Sequence, residues 1–266
     1  MPFWCVGCGN RRFGEICKCG EHDAERIPPL DGMINLMTDD FDSKEHLILK
    51  VLCGSRAYKL DNDDSDYDFH GVFVWPTHRF FEAGVPKPAE TSWVEGEKDD
   101  QVAWELGHFI KLALTCNPTV LETLVAPVEW RNAWGDGLRK LFPYFLSRTH
   151  VFQSYSGYAN NQMKKMLDNS TEEVRTWKFA VAYLRVLIQG RGLLREGKLF
   201  PVVPEPWNKI LREVKMGMVH SKGDVVDMTQ SLQADLKEAY EGSDMQAEPD
   251  LESINLFVRK IRIAYI

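Results

Sequence analysis

The 266-residue chain has no apolar run long enough to span a bilayer, which takes about 20 consecutive apolar residues, so a membrane-spanning helix and a membrane partner are not expected. Its first residues, MPFWCVGCGNRR, lack the basic-then-apolar order of a secretory leader, and the expectation is a cytoplasmic protein. It also lacks a positive excess: 32 Lys and Arg stand against 39 Asp and Glu, for a net charge of −7. That excludes a non-specific nucleic-acid coat, which is usually basic, but leaves room for a local basic patch. Cysteine is scarce beyond residue 20, where only Cys53 and Cys116 occur, both in apolar surroundings that suit core thiols. There is no internal repeat and no low-complexity tract. What remains is the composition of a folded globular protein, 44% hydrophobic and 27% charged, with room for one large domain or two small ones.

The pattern changes twice along the chain. Residues 1–26 are rich in Cys and Gly, and IPPLDG (Ile27 to Gly32) reads as a linker, because two prolines and a glycine end regular structure. A mixed pattern follows over 33–130. HLILKVLCG, YDFHGVFVW and QVAWEL read as strands, and GHFIKLALTCNPTVLETLV as two helices broken at Asn117-Pro118. Over 131–266 the strand signals fade and six stretches carry helical spacing, with EGSDMQAEPD separating the last two. The expected class is α+β: a small mixed sheet with a helical C-terminal half and a small N-terminal metal module.

The strongest local feature is CGSRAYKLDNDDSDYDFHGVFVW, which puts five aspartates beside a strand. A calcium loop of the helix-loop-helix type needs glycine sixth and glutamate twelfth. Begun at Asp61 or Asp64, the sixth residue is Asp66 or Phe69; begun at Asp66, Gly71 fits but the twelfth is Thr77. Asp61, Asn62, Asp63 and Asp64 read as a solvated turn, since these side chains bond their own backbone. Asp66 and Asp68 are different. They alternate with Tyr67 and Phe69 at a strand start, so both carboxylates leave one face about 7 Å apart along the chain. Two such charges repel unless a cation lies between them, and magnesium prefers oxygen ligands. Gly54 permits a tight turn after the preceding strand, and Ser55 opens a segment whose amides and hydroxyl can hold a phosphate.

An apolar run, Gly54-Ser55, a gap of about ten residues, then Asp66-Tyr67-Asp68-Phe69 resembles the signature of the DNA polymerase beta nucleotidyltransferase superfamily. Leu47 to Leu211 as a whole is similar to predicted nucleotidyltransferases associated with RNA repair, common in phages and bacteria. The resemblance implies a polymerase-beta-like domain in 33–130 and transfer of a nucleoside monophosphate from an NTP to an acceptor hydroxyl, with pyrophosphate released. The implied acceptor is an RNA or tRNA end; a protein side chain or small molecule is the alternative, and a nucleotide-binding adaptor without catalysis is a third reading. It also implies two magnesium or manganese ions on Asp66, Asp68 and a third acid from a neighbouring strand. Glu105, between Trp104 and Leu106, is the first candidate for that acid and Asp100 the second; Glu105 could instead begin the following helix. Gly54 and Ser55 would hold the β- and γ-phosphates. Family members often carry glycine where this chain has Lys59.

Arg56 either closes on the phosphates or is an exposed helix arginine. Lys178 and Arg185, seven apart on one helix face with Tyr183 near them, either grip phosphate from the helical half or form a solvated stripe. Lys164 and Lys165, with Tyr155 and Tyr158 on the preceding turns, either contact a nucleic-acid strand or belong to an ordinary amphipathic helix. His70 and His108 read as packed rather than metal-binding.

The N-terminal stretch CVGCGNRRFGEICKCG pairs Cys5 with Cys8 and Cys17 with Cys19. Four thiolates in two pairs fit a tetrahedral structural zinc ion, with His22 able to replace one ligand; a redox pair is the rival reading. Arg11 and Arg12 are expected at the hairpin tip, where they could touch RNA, while a zinc-ribbon-like module could equally dock a protein partner.

Overall fold

A computed structural model describes residues 3–4, 11–12, 46–81, 90–94, 99–168, 173–217 and 221–266, with the backbone alone at 3–4, 11–12, 90–94, 99–100 and 173–174. The chain forms two compact units, Met1–Phe41 and Asp42–Ile266. In the first, β1 (Phe3–Trp4) pairs antiparallel with β2 (Arg11–Arg12), so Arg11 and Arg12 lie in a strand and not at the tip. Cys5, Cys8, Cys17, Cys19 and His22 lie outside the described residues.

The second unit holds a five-stranded mixed sheet. Its strands are β3 (Leu47–Cys53), β4 (Tyr67–Phe73), β5 (Glu90–Val94), β6 (Asp99–Glu105) and β7 (Val128–Arg131), in the order β5-β6-β4-β3-β7. β3 runs antiparallel to β4 and β7, β4 parallel to β6, and β5 antiparallel to β6. The three strands read from the sequence are the three inner ones. The two unread ones, ETSWV and VEWR, are edges: short and rich in polar residues, as edges must be to avoid pairing with other chains.

α1 (Gly54–Ala57) is a single turn after β3. α2 (Leu106–Leu114) and α3 (Pro118–Val125) break at Asn117, whose side chain accepts from the amides of Thr119 and Val120 while Pro118 takes the first helical position. α4 (Ala133–Lys140) and α5 (Phe142–Phe145) lead into α6 (Arg148–Asp168), α7 (Glu173–Glu196), α8 (Trp207–Lys215), α9 (Lys222–Glu241) and α10 (Leu251–Ala264). α7 packs against α6, α8 and α9, and its residues Tyr183 to Gly190 are buried on every side, as a central helix requires. One apolar core runs from Ile48 on the sheet to Ile261 on α10. No described helix is long and apolar enough to cross a membrane.

Candidate functional site

β3 ends at Cys53, directly opposite Asp68 on β4. Gly54 then turns the chain with φ +64, a conformation glycine adopts freely and other residues resist. A methyl group on Gly54 would lie 1.8 Å from Asp68 Oδ2 and 2.7 Å from its Cγ. The turn and the carboxylate therefore interlock, and glycine is required twice over. Ser55 follows in α1, and its carbonyl accepts from the Leu60 amide at 2.9 Å.

Asp66 stands exposed immediately before β4, and Asp68 is half-buried at its second position. The intervening turn behaves as expected: Asp61 to Asp64 are exposed, and Asn62 and Ser65 bond each other through backbone and side chain. Arg56 is committed to this loop, donating to the Ser65 carbonyl at 2.7 Å, pairing with Asp61 at 3.5 Å and lying over the Tyr67 ring.

The parallel pairing of β4 with β6 decides where a third acid can stand. Asp100 is in register with Asp68, whereas Glu105 is in register with Phe73. Phe73 is five residues beyond Asp68, an odd number, so Glu105 belongs to the opposite sheet face and about 16 Å further along. Glu105 has a different occupation. It is fully buried, caps α2 through the Gly107 amide at 2.5 Å and pairs with Arg262 at 2.5 Å. Arg262 in turn donates to the Trp75 carbonyl at 3.2 Å, which fastens α10 to the end of the sheet. Among the described residues no three His, Cys, Asp or Glu side chains form a group that could hold a metal; Asp66 and Asp68 are two, and the Asp100 side chain lies outside that set.

The helical half closes one side. Lys215, on α8, donates to the Leu60 carbonyl at 2.5 Å, and Asn208 to the Tyr58 carbonyl at 3.2 Å. Burial holds the Lys215 ammonium below its ordinary pKa, helped by Lys178, while Asp61 and Asp68 pull the other way. Lys215 thus feels both Asp68 on the sheet and Lys178 on α7. Lys215 had no sequence signal beyond a basic amphipathic helix.

Arg185 is buried, not a solvated stripe. It pairs with Glu122, donates to Gln189 at 2.9 Å and lies 3.8 Å over the Tyr58 ring, whose hydroxyl donates to the same Glu122 at 2.8 Å. This network ties α7 and α3 to the residue that follows α1. Tyr155 and Tyr183 are core residues, which removes Tyr155 from any surface, while Lys164 and Lys165 are exposed on α6. His70 shares the Asp68 face of β4 and meets Thr123 Oγ1 at 3.0 Å; burial pushes its pKa down to about 4. Burial, reinforced by Asp68, pushes the Cys53 thiol up to about 12, so it stays protonated. Cys53 and Cys116 are both buried free thiols, as expected.

The model of the RNA repair pathway DNA polymerase beta family matches residues 33–260. The YcgL protein of Bacillus subtilis (strain 168) is 24% identical over 174 residues, covering 59% of each chain, so this chain spans well under two thirds of that relative. A nucleotidyltransferase-like protein from Exiguobacterium sibiricum 255-15 matches with a TM-score of 0.28 and 9% identity over 81% of this chain and 73% of its own, a likeness too slight to bear on function.

Proposed function

The chain belongs to the RNA repair pathway DNA polymerase beta family, and we propose that it transfers a nucleoside monophosphate from an NTP to the hydroxyl of an RNA end, releasing pyrophosphate. The observation that carries this reading is the interlock of Gly54 with Asp68: the turn after β3 and the carboxylate on β4 are held in van der Waals contact on one strand-turn-strand unit.

Asp66 and Asp68 are the carboxylates that would hold magnesium, and their oxygen-only chemistry suits it. The third acid in this reading is Asp100, because its register partner is Asp68 and Glu105 is consumed by Arg262. When bound, such ions lower the pKa of the attacking hydroxyl and neutralise the leaving pyrophosphate. Gly54 and Ser55 present backbone amides and a hydroxyl to the β- and γ-phosphates. Lys178 and Lys215 supply positive charge from the helical side, and the Lys215 bond to the Leu60 carbonyl fixes α8 against the loop beyond the phosphate turn. Arg56 and Arg185 shape the pocket indirectly, the first by anchoring the acidic loop, the second by anchoring Tyr58. Structural zinc on Cys5, Cys8, Cys17 and Cys19 remains part of the proposal, as does a protein partner docked there.

Labelled NTPs with magnesium and a mixture of RNA and protein test the acceptor. Label on RNA supports this reading. Label on protein moves the acceptor to a side chain. No label, with wild type matching an Asp66→Asn/Asp68→Asn variant, overturns catalysis altogether.

A further inference from the structure

The face of the sheet opposite Asp68 carries a row of rings and cations that the reaction does not use. Tyr67 and Phe69, two apart on β4, stack with their planes 11° apart and centroids at 6.3 Å. Arg56 lies 3.9 Å over Tyr67, and Lys50 on β3 lies 4.4 Å over Phe69. Lys50 is in register with Trp130 on β7, so Trp130 extends the same row to the sheet edge. Tyr67 is 44% and Trp130 47% exposed, large values for aromatic side chains. From β4 to β7 the row crosses two strand spacings, about 10 Å.

We propose that this face is a stacking platform for the single-stranded part of the acceptor RNA, a proposal that rests on the nucleotidyltransferase reading for the identity of its ligand. Three features single out nucleic acid. Rings alternate with cations, so bases can stack while phosphates meet charge, in a chain whose net charge is −7. Arg56 and Lys50 each rest against one face of a ring, which restrains Tyr67 and Phe69 and lowers the ordering cost of stacking. The row begins at Tyr67, at the start of β4 between Asp66 and Asp68, so a strand lying on it reaches the carboxylate face by passing around that end of the strand. The platform reads no base edges and is expected to be tolerant of sequence.

The test is binding of a fluorescein-labelled ten-nucleotide single-stranded RNA with a blocked 3′ end, followed by anisotropy with the full chain and no NTP. Stacking of about 1–3 kcal/mol per base corresponds to roughly 5- to 150-fold. Trp130→Ala is expected to weaken binding tenfold or more and Trp130→Tyr less than threefold. Lys50→Ala should weaken binding and flatten its salt dependence, and a blunt RNA duplex should bind no better than the single strand binds Trp130→Ala. Equal binding by wild type and Trp130→Ala, tight duplex binding, or no binding by wild type overturns the platform. Label transfer measured alongside keeps the two ideas apart. Transfer by wild type that Trp130→Ala leaves intact sinks the platform and spares the activity. Strand binding lost in Trp130→Ala, with no transfer by any variant, does the reverse.

Discussion

Replacing Gly54 with alanine attacks the interlock on which the site is built. Two costs are visible. The backbone at φ +64 disfavours a residue with a side chain by about 1–2 kcal/mol. The new methyl would also sit 1.8 Å from Asp68 Oδ2, with the Asp68 Cβ only 3.0 Å away, so the carboxylate must swing out of place. Forcing a group into filled space costs about 1–3 kcal/mol more. The sum, about 2–5 kcal/mol, is measurable by urea unfolding. A double-mutant cycle separates the parts. With Asp68→Ala in the background, most of the clash is gone, and Gly54→Ala should cost only the backbone share of about 1–2 kcal/mol. Transfer activity should fall with Gly54→Ala even in the fully folded fraction, because Asp68 is displaced. Strict additivity in the cycle, or a loss under 1 kcal/mol, would refute the interlock.

The pair of buried Glu105 with half-buried Arg262 should behave as a fastener: Arg262→Met strands the buried carboxylate and should cost about 3–5 kcal/mol, Glu105→Gln should cost less because Arg262 reaches water, and the double variant should recover much of the loss, as read by thermal unfolding. His70 is held neutral in the fold, with a pKa of about 4 against an ordinary 6.5. The unfolded chain therefore takes up its proton first as pH falls, so this contribution is complete above pH 6.5 and lost progressively toward pH 4. Between pH 7 and 4.5 the loss is about 2–3 kcal/mol, and His70→Gln should remove that much of the acid sensitivity in urea titrations; identical acid limbs would contradict the assignment.

The proposed turn-and-carboxylate unit could be picked out in the sequence because its spacing is local. Gly54, Ser55, Asp66 and Asp68 lie within fifteen residues, and strand alternation alone puts the two carboxylates on one side. Glu105 was misleading because an acid between two apolar residues looks the same whether it ends a strand facing the site or caps the next helix. Only the pairing of β6 with β4 tells the two apart, and a register is a tertiary fact. Arg185 shows the same limit. Its spacing from Lys178 was readable, but its partner Glu122 lies 63 residues away on another helix. Lys59 became intelligible from its backbone: it sits at φ +57, in the left-handed region, where glycine is the least strained residue. The edge strands were missed for the reason they are edges, since short polar strands carry little of the pattern that marks buried ones.

Which acids carry the reaction is measured most directly by single-turnover transfer from a labelled NTP to RNA in magnesium. Asp68→Asn and Asp100→Asn are expected to abolish transfer while unfolding like wild type, and Glu105→Gln to keep transfer per folded molecule while losing stability. Full activity in Asp100→Asn, or loss of activity in a stably folded Glu105→Gln, would contradict the site as drawn.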